Sequence, residues 1–200
     1  MTTTTTTTTT TNTLNRIAIL ARQPDPIFHV QDLARLWNIE KIDTLYTILK
    51  RYTQQGILFR IYKGFYSLLP IDRLDPLFLG IKALHEYAYV SCESVLVAEG
   101  LMTQIIHHHT LISSHSCRFQ IGEHSYVSRQ LKDQFLYNPA GIIEKNGILM
   151  ATKERAIADA LYFNPMFYFD GMDRIDFSKV QSLQKEIGYP LTHTSNATTA

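Results

Sequence analysis

Residues 28–69 constrain this chain more than any other stretch, and they read FHVQDLARLWNIEKIDTLYTILKRYTQQGILFRIYKGFYSLL. Val30, Leu33, Ala34 and Trp37 recur at helical spacing, so one face of a short helix is buried. Asn38 and Glu40 punctuate a turn, and Ile39 is positioned to pack back onto the core. A second helix is predicted from about Lys41 to Gln55, with Leu45, Ile48, Leu49 and Tyr52 as its apolar stripe. Gly56 suits a left-handed helix stop. Ile57, Phe59 and Ile61 then alternate with Leu58, Arg60 and Tyr62, which is strand periodicity. Lys63-Gly64 fits a hairpin tip, and Phe65 to Leu69 forms the return strand. Helix, turn, helix and basic hairpin in that order predict a winged helix-turn-helix, whose second helix is sized for the major groove of DNA.

Charge follows the same division. Leu14 to Pro70 holds eight basic and four acidic residues, a net +4. The whole chain is +1, which leaves eleven basic and fourteen acidic residues, a net −3, elsewhere. A basic half beside an acidic one points to a polyanion facing the first half. Lys41, Thr44, Thr47 and Lys50 are the candidates for groove contact, because Thr and Lys reach base edges or phosphates. Arg51, Arg60 and Lys63 are the candidate phosphate contacts. Tyr46 sits between the two faces of its helix and fits either core or contact. The other reading of the same unit is a protein-interaction module whose winged helix docks a protein.

Two hundred residues suit one large or two small domains. No apolar run approaches the roughly 20 residues of a membrane helix, and no secretory signal opens the chain. Two cysteines, Cys92 and Cys117, do not make a disulfide framework. A cytoplasmic protein is the economical expectation. The threonine tract, Thr2 to Thr11, has no apolar periodicity and is expected to be disordered, within a tail spanning 1–12. The expected domains are 13–70 and 71–189, followed by a loose tail from 190 to 200.

A helix over about 12–21 precedes the motif, with Leu14, Ile17, Ala18 and Ala21 as its expected inward stripe. Asp75-Pro76 starts another, with Leu77, Phe78, Ile81 and Leu84 on one face. Tyr89-Val90 is a short strand feeding a helix capped by Ser91 and ended by Gly100. Strands are expected over 104–113, 117–121 and 125–130. Asn146-Gly147 between Ile142-Ile143 and Ile148-Leu149 is the strongest hairpin signal in the chain. Thr152 caps a helix that turns Ala156, Ile157, Ala160 and Leu161 inward, and a last helix runs over about 177–187 with Val180, Leu183 and Ile187 inward. The fold class is therefore α+β, the winged helix-turn-helix being followed by a small mixed or antiparallel sheet covered by helices.

Three segments carry a resemblance: LKRYTQQGILFRIYKGFYSL, YVSCESVLVAEGLM and MATKERAIADALYF, in that order, within residues 28–165. In them the chain resembles the AbiEi family, the antitoxins of type IV abortive-infection toxin–antitoxin systems. The resemblance implies a bipartite protein. Its winged helix would bind double-stranded promoter DNA and repress its own operon. Its second domain would neutralise a cognate nucleotidyltransferase-like toxin. The threonine tract lies outside the family pattern.

Enzyme chemistry has little to stand on. The His107-His108-His109 run would place His107 and His109 on one strand face near His115, His124 or Cys117, but no zinc spacing accompanies it. An exposed polar strand face is the simpler reading, so no metal and no cofactor are expected. Cys92 next to Glu93 reads as a buried apolar cysteine before it reads as a nucleophile. Glu93, Glu99, Glu154 and Asp159 read as solvated or salt-bridged helix faces, with Arg155 and Asp159 spaced to pair. No nucleophile elbow, zincin, Walker or dinucleotide motif is present.

Overall fold

The computed structural model describes residues 4–192, with side chains from residue 12 onward. The chain is α+β and divides into two compact units between Asp75 and Pro76, a few residues beyond the boundary expected at Pro70. Among the described residues no helix is long and apolar enough to cross a membrane.

The first unit opens with α1 (Thr4–Ala21). This corrects the expectation of disorder for the part of the threonine tract from Thr4. Once the segment from Asn12 is helical, each further residue adds one hydrogen bond without a new nucleus. The inward face also differs from the expected stripe. Leu20 is buried, whereas Leu14 is 63% exposed. Trp37 sets the rotation, because its Nε1 donates to the Arg16 carbonyl at 3.3 Å while the Arg16 guanidinium lies 5.8 Å from its ring centroid.

A strand follows that the sequence reading missed, β1 (Ile27–His29). At three residues it is too short to show alternation. Next comes α2 (Val30–Leu36), capped by His29, whose Nδ1 accepts from the Gln31 N–H, while Asp32 accepts from the His29 N–H. Asn38 carries the left-handed turn at φ +50°, and α3 (Ile42–Gln54) follows. Its predicted stripe, Leu45, Ile48, Leu49 and Tyr52, is buried against Leu20, Phe28, Leu33 and Trp37. Beyond Gly56 lie β2 (Phe59–Tyr62) and β3 (Phe65–Ser67), both shorter than expected. β3 is the centre of an antiparallel sheet ordered β1-β3-β2. The register shifts between Arg60 and Tyr62, and this bulge breaks the predicted alternation so that Leu58 and Ile61 are the buried pair.

The second unit begins with α4 (Pro76–Leu84), which buries Leu79 and Gly80 rather than the predicted face. β4 (Tyr89–Val90) leads to α5 (Glu93–Ala98). The residue at the N-cap is Cys92, at φ +50°, not Ser91, whose hydroxyl is used elsewhere. β5 (His109–Ser113), β6 (Cys117–Ile121), β7 (His124–Gln130), β8 (Ile142–Lys145) and β9 (Ile148–Ala151) complete one mixed sheet, ordered β6-β7-β5-β4-β9-β8. β5 runs parallel to β7 and β4 parallel to β9, while the remaining neighbours are antiparallel. Asn146 and Gly147, at φ +53° and +76°, turn the β8–β9 hairpin. The helices α6 (Asp133–Leu136), α7 (Lys153–Phe163) and α8 (Phe177–Ile187) belong to the same unit. Thr152 caps α7 as predicted, its hydroxyl accepting from the Arg155 N–H.

Candidate functional site

The outer side of α3 presents the residues that the sequence singles out. Lys41, Thr44, Thr47 and Lys50 are exposed, and Arg60 and Lys63 are exposed on the β2–β3 hairpin. Arg51 is half-buried, its guanidinium 5.4 Å from the Tyr52 ring centroid. The Thr47 hydroxyl donates to the Asp43 carbonyl at 2.8 Å, which leaves its oxygen free to accept. The hairpin tip is held to α2, because the Val30 N–H donates to the Gly64 carbonyl at 2.8 Å. Gly64 has φ +74°, and a Cβ there would sit 3.2 Å from His29 Nε2.

Ile42 is not among the expected contacts, and Tyr46 fits either core or contact by its spacing. Both lie on α3, one turn apart, and each is 48% exposed. Burial raises the Tyr66 phenol pKa, Arg60 opposes that rise and Tyr46 adds to it. Arg60 is the cross-strand partner of Tyr66.

The second unit is organised around a buried ion pair. Arg155 Nε donates to Asp159 Oδ1 at 2.9 Å, and both side chains are wholly buried. Arg155 Nη1 donates to the carbonyls of Asn138 and Ala140 at 3.1 and 2.8 Å. Nη2 donates to the Tyr89 hydroxyl at 2.8 Å and the Phe135 carbonyl at 3.2 Å. All five guanidinium N–H groups are thereby used. Asp159 also accepts from Tyr189 at 2.6 Å, Ser91 at 2.7 Å and Tyr89 at 3.1 Å. Burial raises the pKa of both phenols well above the ordinary value, and the Asp159 carboxylate raises them further. The expected pairing of Arg155 with Asp159 is present, but in the core and not on a solvated helix face. Two of the resembling segments, the one with Tyr89 and Ser91 and the one with Arg155 and Asp159, meet here in the core.

Glu93 is salt-bridged, one of the two settings expected for it, but it is only 7% exposed and not on a solvated face. It pairs with Arg129 and accepts from the Thr110 hydroxyl at 3.0 Å. Both partners of the pair line an open cleft of about 960 Å³ between the 102–108 and 164–170 loops. Asp170 ties the loops together by accepting from the Thr103 N–H and hydroxyl at 2.5 and 2.7 Å, and these bonds lower its pKa. Met166 and Tyr168 line the cleft and are exposed by 83% and 73%, and Ile105, on the 102–108 loop, is exposed by 78%. Cys92 is buried, and burial pushes its thiol pKa well up, which fits a core cysteine.

The histidine run does not share a strand face. β5 begins only at His109, so His107 and His108 precede it. His109 packs near His124, with ring centroids 5.9 Å apart, and His115 pairs with Glu86 at 2.8 Å. Among the described residues no three His, Cys, Asp or Glu side chains gather as a metal site.

No family model matches this sequence, and no curated protein matches it. A solved structure, that of the RV2827C protein from Mycobacterium tuberculosis, superposes with a TM-score of 0.56 at 13% identity, covering 90% of this chain and 72% of that one. At that identity the likeness concerns the fold alone.

Proposed function

We propose that the chain is a cytoplasmic DNA-binding repressor of the antitoxin type, acting through a winged helix-turn-helix in its first unit. The observation that carries the reading is the exposure of Thr44, Thr47 and Lys50 on α3 outside its buried stripe and of Lys41 just before the helix, with Arg60 and Lys63 exposed on the hairpin. Helix and hairpin are the two elements that such a unit offers to a major groove and its flanking phosphates. The +4 charge of Leu14 to Pro70 supports the same partner. Lys41, Thr44, Thr47 and Lys50 face the groove, and Arg51, Arg60 and Lys63 the phosphates.

The second unit binds a nucleotidyltransferase-like toxin. This part rests on the resemblance, and the exposed apolar side chains Ile105, Met166 and Tyr168 are its candidate contacts. A second reading, a winged helix that docks a protein, is favoured by the bare apolar pair Ile42 and Tyr46. A gel-shift of the full chain on the duplex upstream of its own gene, against an unrelated duplex of equal length, separates the two. Preference for the upstream duplex supports the repressor. Absence of binding to both favours protein docking.

A further inference from the structure

The apolar pair on α3 has no place in a surface that only holds phosphates. Phosphate contact calls for cations and hydrogen-bond donors, yet Ile42 and Tyr46 leave half their surface in water. Ile42 is the first residue of α3, and residues at the N-terminal end of a groove-bound helix are those that reach base edges. Tyr46 stands one turn on, at i+4, so the two side chains form a continuous strip.

Cations stand at both ends of that strip. Lys41 is the cap residue just before Ile42, and Lys50 follows Tyr46 by one turn, while Arg60 is exposed on the hairpin across from Tyr66. An exposed apolar strip with a cation at each end fits a helix lying in a major groove, where base edges lie between two phosphate backbones. The apolar feature that DNA displays on the floor of that groove is the C5-methyl group of thymine. The Asp43 carboxylate, exposed beside Ile42, fits the same floor as an acceptor for a cytosine amino group, but repels phosphate.

We infer that Ile42 and Tyr46 are specificity-determining residues that read thymine methyl groups, so that the operator of this protein carries thymines at the positions facing the start of α3. The inference rests on the DNA-binding reading above. It assigns the apolar pair to DNA and leaves no need for a protein on this face.

The test uses the full chain and two duplexes of the upstream region, one natural and one synthesised with deoxyuridine in place of thymidine. Uracil pairs as thymine does but lacks the methyl. Burying one methyl-sized group changes affinity about fourfold, so two contacts predict a loss of roughly tenfold or more on the deoxyuridine duplex. Ile42→Ala with Tyr46→Ala should bind both duplexes alike, at the affinity the unchanged protein has for the deoxyuridine duplex. Each single substitution should keep part of the difference between the duplexes, and matching thermal melts establish folding. Equal affinity of the unchanged protein for both duplexes overturns the inference and leaves DNA binding standing. An equal loss in protein and double variant also overturns it, since the methyl would then act through DNA shape. Failure to bind either duplex overturns the DNA-binding reading itself.

Discussion

Arg155 and Asp159 stand one turn apart on α7 with no solvent access, their Nε and Oδ1 atoms 2.9 Å apart. The same pair on an exposed helix contributes a few tenths of a kcal/mol. Here removal of one partner leaves an uncompensated buried charge, which costs about 3–5 kcal/mol. Asp159→Ala should therefore lower stability by that amount, read as a shift of the urea midpoint. A change below ~1 kcal/mol would mean that water enters the site.

Tyr89 and Tyr189 give the fold an alkaline limit. Their pKa values are raised above 10.0, first by burial and then by Asp159. Above pH 10 the unfolded chain loses these protons while the folded chain keeps them, so the unfolded state binds fewer protons and stability falls as pH rises. Below pH 10 the two tyrosines contribute no pH dependence. Each should add about 1.4 kcal/mol of loss per pH unit above it. Stability curves at increasing alkaline pH should steepen there, and Tyr189→Phe should flatten them by about one proton's worth.

Gly80 tests the packing of α4. Alanine in a helix interior gains up to about 1 kcal/mol over glycine. At this position a Cβ would lie 2.4 Å from Tyr126 Cε1. Tyr126 is buried, stacks on Phe119 at 4.8 Å and donates to the Pro76 carbonyl at 2.8 Å, so it cannot step aside. Gly80→Ala should destabilise by about 1–3 kcal/mol, the clash outweighing propensity. A stabilised variant would show the Tyr126 ring to be loosely held.

Tyr52 offers the opposite sign. Its hydroxyl is buried without a hydrogen-bond partner among the described residues, although its ring packs edge-on against Trp37 at 5.8 Å. Tyr52→Phe keeps the packing and removes the unpaired oxygen, so stability should hold or rise by about 1 kcal/mol. A loss of more than that would reveal a partner for the oxygen.

The sequence made the locally determined elements legible. Leu45, Ile48, Leu49 and Tyr52 mark α3 by period, Asn146-Gly147 marks a turn, and Thr152 marks a cap. It could not show what long-range pairing decides. The parallel neighbours β5 and β7 are separated by β6 in the chain, and Asp159 meets Tyr89 across 70 residues. An i,i+4 ion pair reads as a solvated face until such partners enclose it. At the candidate DNA surface, charge and spacing identified Lys41, Thr44, Thr47 and Lys50. Ile42 escaped notice because an apolar residue at a helix start normally suggests core, and only its 48% exposure says otherwise.

The central claim concerns α3 and its hairpin as a surface for DNA phosphates. Its most direct test is the salt dependence of binding, by fluorescence anisotropy, of the full chain to a labelled duplex from its upstream region. About six phosphate contacts predict a log–log slope near −5 between about 50 and 200 mM salt. Arg60→Ala with Lys63→Ala, both exposed on the hairpin, should lie near −3.5, having lost about two contacts, with its melting curve unchanged. No binding, or a slope that the double substitution leaves untouched, would contradict the account.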